Sequence, residues 1–143
     1  MIETVYNNNE IVAMIIRSNF ESEKDINFIT SEKSFLQVAS MSHPKGKIID
    51  AHVHKHITRK ITATQEIILL KKGSMRIDLF SESKKYLESK NLTCGDIVLL
   101  ISGGHAFEIL EDAFFFEFKQ GPYLGTNDKV RFKPNILQYI YRK

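Results

Sequence analysis

The sequence predicts an all-β domain, a sandwich or a barrel, on three observations. Its apolar runs are short and rich in Ile, Val, Leu and Phe. Glycine, proline and asparagine fall between these runs rather than inside them. Signals for helix starts are few. Short strands punctuated at regular intervals by turn residues favour layered sheets over helices.

The elements follow in order. Residues 3–6, the triplet Asn7-Asn8-Asn9 and residues 11–17 read as an N-terminal β-hairpin with an asparagine turn. Thr30-Ser31 followed by Glu32 can cap a single helical turn. Further strands are expected over residues 35–41, 47–55, 65–71, 75–80, 97–101, 105–110 and 113–119. Pro44 and Gly46, Gly73, Gly95, Gly103-Gly104 and Gly121-Pro122 separate them. The residues after Pro134 suit either a short helix or a strand. Phe114, Phe115, Phe116 and Phe118 read as core aromatics.

Composition bounds the function. A chain of 143 residues is expected to form one domain, 1–143, with a core that needs no disulfide or metal support. Its longest apolar run, Ile11 to Ile16, is six residues, too short for a membrane span. No secretory leader pattern opens it, so a cytoplasmic protein is expected. One cysteine, Cys94, excludes an intrachain disulfide and suits a reducing compartment. The net charge of +3 is too small to imply nucleic acid. The charge is uneven, however. Residues 119–143 carry six Lys or Arg against Asp128 alone, and the rest of the chain sums to −2. A basic end on a near-neutral body suits an anionic ligand or a partner surface, and Lys119, Tyr123, Lys129 and Arg131 are the candidate contacts of an anion.

The histidines carry the chemistry. His52, His54 and His56 sit at every second residue. On a strand such residues share a face, so neighbouring imidazoles can converge on one ion. Glu66 opens the next strand candidate and His105 opens a later one, after Gly103-Gly104. If His105 faces inward, Phe107 and Ile109 do too, giving an apolar pocket floor. Three imidazoles and a carboxylate suit Fe, Mn, Ni, Zn or Cu. His43, beside Pro44, reads as a loop histidine, and Cys94 as a structural or incidental thiol with no adjacent base. Gly103-Gly104 is a tight turn with no helix behind it to cradle phosphate.

These residues resemble the cupins. The first cupin motif runs Gly, five residues, His-x-His, then Glu, six residues, Gly. Here five residues separate Gly46 from His52-Val53-His54, and six separate Glu66 from Gly73. Eleven residues separate His54 from Glu66, against three or four in the motif. The second motif runs Gly, five residues, Pro-x-Gly, two residues, His. Gly95 and His105 resemble its ends, with the proline replaced and the histidine one residue early. The tail from Phe116 to Tyr123, with Asp128-Lys129 after it, is similar to the ending of a small cupin-fold metalloprotein family found among surface-polysaccharide genes, including O-antigen genes. The resemblance covers residues 37–131.

The resemblance implies a cupin jelly-roll β-barrel, with the hairpin on its outside or on a partner subunit, and a homodimer. It implies His52, His54, Glu66 and His105 as ligands of one divalent ion (Fe, Mn, Ni or Zn), with Gln65 or His56 as alternatives to Glu66. A metal so held suits isomerisation or epimerisation of a sugar phosphate or nucleotide sugar. His56, Asp50 and Tyr123 are general-base candidates on residue type alone. A non-haem metal dioxygenase and a non-catalytic metal- or sugar-binding module are the alternatives. No nucleic acid or membrane partner is expected.

Overall fold

A computed structural model describes residues 1–23 and 25–135. Ten strands and one short 3-10 turn make up its regular structure. They are β1 (Ile2–Asn7), β2 (Glu10–Ile16), β3 (Ile26–Phe28), β4 (Ala39–Met41), β5 (Glu66–Lys72), β6 (Ser74–Phe80), β7 (Tyr86–Thr93), β8 (Ile97–Leu100), β9 (Gly104–Ile109) and β10 (Phe114–Lys119), then the turn Gly125–Asp128. The all-β expectation is met, with antiparallel pairing throughout. Among the described residues no helix is long and apolar enough to cross a membrane. The alternatives for the end of the chain fall on residues 136–143, outside the described residues.

The chain forms two compact units. The larger comprises residues 1–20 and 64–143. Its five-stranded sheet runs β1-β2-β8-β5-β10, and its three-stranded sheet runs β7-β6-β9. The N-terminal hairpin forms as expected, turning through Asn8 at φ 56. Asparagine tolerates this left-handed region better than most residues. The core is where the two sheets meet. Ala13, Ile15, Ile68, Leu70, Val98 and Leu100 enter from the larger sheet, and Met75, Ile77, Leu79 and Leu92 from the smaller. Along β5 and β6 these are alternate residues, as the pleat requires.

One turn in this unit is fixed by a buried carboxylate. Asp96 is 2% exposed. It accepts hydrogen bonds from the Ser18 and Thr93 backbone N–H groups at 2.8 and 3.0 Å and from Arg17 Nη1 at 2.9 Å. Arg17 also holds Glu3 at 2.6 Å, joining β1 and the end of β2 to the β7–β8 turn. A buried acid with this many donors is stable where an unpaired one is not.

The smaller unit is residues 21–63. β3 and β4 pair antiparallel, Ile26 opposite Met41 and Phe28 opposite Ala39. The strand expected over residues 35–41 is therefore confined to its last three residues. Thr30 caps no helix; its hydroxyl accepts from the Val38 N–H at 3.0 Å, and residues 31–34 form a turn.

The strand expected over residues 47–55 does not form. Residues 47–63 hold no strand or helix and are exposed. Alternating β-branched residues make a strand only when a neighbouring strand completes the ladder, and none pairs with this segment. The aromatic run is corrected too. Only Phe115 packs against the core. Phe114, Phe116 and Phe118 are 54%, 45% and 51% exposed, stacked along one face of β10. The sequence reading missed β3 and β7.

Candidate functional site

Strand pairing assembles a site at one end of the larger unit. Glu66, the first residue of β5, stands opposite Lys119, the last of β10, and opposite Leu100, the last of β8. On the other sheet Phe80, the last residue of β6, stands opposite Gly104, the first of β9, and Leu79 stands opposite His105. Leu79 is a core residue, so the same register turns His105 inward. Phe107 follows it and packs on the core, while Ile109 is exposed at the far end of β9. Gly103 sits at φ +71 ahead of the strand, and a side chain there would strike the Phe80 carbonyl oxygen. Glycine is required by both counts.

Across the gap between the sheets, His105 Nε2 lies 3.3 Å from Glu66 Oε2. Lys119 Nζ lies 3.6 Å from Glu66 Oε1, 2.9 Å from Glu117 and 3.9 Å from Asp128. Hydrogen bonding from His105 holds the Glu66 carboxyl below the usual carboxylate range, and the charges of Lys119 and Lys129 add to this while burial opposes it. Glu117, first, and then Glu66 and Asp128 hold the Lys119 ammonium above its ordinary value. Glu66 is thus an ionised acceptor at neutral pH, bracketed by an imidazole and an ammonium.

These groups open on a cavity of about 490 Å³. Phe80, Leu100, Ala106 and Phe132 supply apolar walls, and Thr64 and Ser102 supply hydroxyls. Lys129 and Arg131 line it from the segment after the 3-10 turn and make no ion pair among the described residues. Tyr123 lies outside the lining, its ring 5.1 Å from Lys119 Nζ. Lys119, Lys129 and Arg131, three of the four residues expected to meet an anion, therefore gather with Glu66 and His105 at one mouth. The sequence reading missed Asp128, Ser102, Thr64 and Phe132 as lining. Asp128 and Phe132 stand beside residues that the charge asymmetry marked, which was the one available signal.

The other expected ligands belong to the smaller unit. His52 and His54 are exposed, on irregular chain rather than on a strand. Their rings still meet edge to face, centroids 5.4 Å apart. His52 Nδ1 is 3.0 Å from the Asp50 carbonyl oxygen, which leaves Nε2 outward. His56 and Asp50 are exposed. Gln65 is buried in the larger unit, its N–H donating to Gln120 Oε1 at 2.9 Å, a framework position beside the cavity rather than in it. Among the described residues no three His, Cys, Asp or Glu side chains gather closely enough to hold a metal ion. Cys94 is exposed, its thiol donating to the Lys71 carbonyl.

No family model, no curated protein and no solved structure matches the chain.

Proposed function

We propose that the cavity binds a small hydroxylated anion, a sugar phosphate or nucleotide sugar, and that Glu66 and His105 move a proton on it. The observation that carries this reading is the meeting of an ionised carboxylate, an imidazole and three cationic side chains around one apolar-walled cavity. A cavity of about 490 Å³ lies within the range of small-molecule sites. An ionised carboxylate within reach of an imidazole in a cleft is a candidate proton-transfer pair.

The reaction class is isomerisation or epimerisation beside a carbonyl. Glu66 accepts a proton from the carbon next to the carbonyl, and the electron pair moves onto the carbonyl oxygen. Lys119, or His105 by donating a hydrogen bond, stabilises the charge on that oxygen. In isomerisation Glu66, its proton exchanging with water, returns one to the former carbonyl carbon while the hydroxyl proton passes to the former carbonyl oxygen; in epimerisation water supplies a proton to the opposite face and Glu66 releases its own to solvent. Nothing is oxidised overall and no second substrate is consumed. Lys129 and Arg131 hold the phosphate. In this reading the two facing sheets are an open version of the cupin jelly roll, and the resemblance carries with it a homodimer, which sedimentation tests.

The test is proton exchange in heavy water. Fructose 6-phosphate and other carbonyl-bearing sugar phosphates should lose a C–H proton signal in the presence of the protein. Absence of exchange across the panel, with binding intact, would leave a sugar-phosphate-binding module. Absence of binding would remove the reading.

A second reading, a metal-dependent cupin, is favoured by the contact between the His52 and His54 rings. Two adjacent imidazoles are competent donors for Fe, Mn, Ni or Zn. When bound, such an ion polarises a carbonyl or enediolate oxygen, and a redox-active one suits a dioxygenase. Elemental analysis of protein purified without chelator tests it, one equivalent of metal being expected.

A further inference from the structure

Two of the three cations lining the cavity have no strand to hold them. Lys129 and Arg131 lie beyond the 3-10 turn that ends at Asp128, on chain without regular structure. Both are exposed, while Phe132 beside them is partly buried. The Phe132 ring meets Phe80 edge to face, centroids 5.2 Å apart at 89°. Lys84 Nζ lies 5.7 Å from its centroid. The floor under the ring is Gly104. A Cβ built there would stand 3.1 Å from Phe132 Cε1 and 3.2 Å from Cζ. Such a contact is too tight to accept unless the ring gives way.

From this we infer that Phe132 is the positioning residue of the anion site. Its ring, seated in the notch formed by Gly104 and Phe80, sets Lys129 and Arg131 against the cavity. The inference rests on the anion-binding reading of that cavity and assigns the part that makes it competent. Exposed lysine and arginine side chains on irregular chain lose much of their effect if the chain wanders, because apparent affinity falls in proportion to the competent fraction. One partly buried aromatic side chain three residues from Lys129 and adjacent to Arg131 restricts that wandering. Gly104 has two roles here. It pairs with Phe80 in the sheet, and its missing side chain is the space the ring occupies.

The test measures phosphate and glucose 1-phosphate affinity by calorimetry, with the His105 imidazole followed by NMR in the same samples. Phe132→Ala should weaken both probes by about ten-fold or more if only about one chain in ten then holds the tail in place. The His105 resonances should move by no more than the ring-current change of the lost ring, because Glu66 and its strand are untouched. Phe132→Tyr should bind like the wild type, since the ring is kept. Gly104→Ala keeps the ring but raises the notch floor, and should weaken binding by about three-fold or more. It also stands in if Phe132→Ala fails to fold. Binding by folded Phe132→Ala, or by Gly104→Ala, within two-fold of wild type overturns the inference and leaves the cavity reading intact. Loss of affinity accompanied by shifted His105 resonances, with no rescue by tyrosine, also overturns it, because the effect is then general disruption. Wild-type protein that binds neither probe overturns the cavity reading itself.

Discussion

Replacing Glu66 by Gln gives the two functional readings different outcomes, each read by its own measurement. The side chain keeps its size but loses its charge. The structural consequence is small, because Lys119 keeps Glu117 at 2.9 Å and Asp128 at 3.9 Å. A partly exposed pair of this kind contributes under about 1 kcal/mol. The electrostatic consequence is larger. Three cations and two carboxylates line the cavity, so the variant raises its formal charge by one unit. Across an assumed separation of about 7 Å, one unit of repulsion is about 0.6 kcal/mol in water and about 2.4 kcal/mol at an effective dielectric constant of about 20. Phosphate should therefore bind about 3-fold to about 50-fold more tightly per unit of its charge. Proton exchange should fall by about 100-fold or more, as removal of a general base entails. Calorimetry with inorganic phosphate at low salt reads the first effect, and deuterium incorporation reads the second. If phosphate binds the variant no more tightly than wild type, the carboxylate does not oppose the anion and the cavity assignment is wrong. In the metal reading the outcome is a loss of retained metal, because a neutral amide is a poorer donor than a carboxylate.

Three further outcomes are expected. His52→Ala with His54→Ala should abolish metal retention if those rings are ligands, and metal content near one per chain in the double variant removes that reading. Arg131→Ala should weaken phosphate binding by about 1–3 kcal/mol at low salt, less at high salt, and neutral sugars should bind wild type more weakly than phosphorylated ones; equal affinities at both salts would place Arg131 in solvent. Hydrogen bonding from Arg17, helped by Lys90 and opposed by burial, holds the Glu3 carboxyl below its ordinary value. A depressed acid stabilises the fold above its unfolded pKa of about 4.3, and that stabilisation is lost as pH falls through the lower folded value. Urea unfolding of Glu3→Gln should accordingly show a shallower loss of stability between about pH 5 and about pH 3 than wild type; equal slopes would mean that the pair does not couple to folding.

Much of the larger unit was legible because its strands carry their own evidence. Residues 11–16 and 97–101 are apolar runs that each begin after an acidic residue, and they supply β2 and β8 of the five-stranded sheet. β7 was not legible. Its sequence, YLESKNLT, is mostly polar because Leu92 is its only buried residue. It takes its place by pairing with β6, which local composition does not report. Residues 47–55 show the reverse: they have strand-forming composition and no partner. The phenylalanines at 114, 116 and 118 differ again. Hydrophobicity says nothing about which face of a sheet they occupy, and a slip of one residue exchanges the faces. Phe116 and Phe118 stand opposite Leu69 and Ile67, whereas the core takes Ile68 and Leu70 from the same strand.

The same rule of register explains why the cavity groups could be named singly but not assembled. Glu66 begins β5, Lys119 ends β10, Leu100 ends β8, Phe80 ends β6 and Gly104 begins β9. In antiparallel sheets these are the termini that coincide in space, so five strand ends from distant parts of the chain meet at one mouth. A strand end is also where a side chain can leave the packed layer while its backbone stays in the ladder. Glu66 and His105 are therefore held by two independent sheet registers, and their 3.3 Å approach depends on the packing between those sheets. Lys129 and Arg131 have no such support and depend on Phe132. The acid–base pair should accordingly survive changes in the tail that abolish anion binding, whereas a one-residue insertion between Gly104 and His105 should destroy the pair, since it turns His105 to the opposite face of β9.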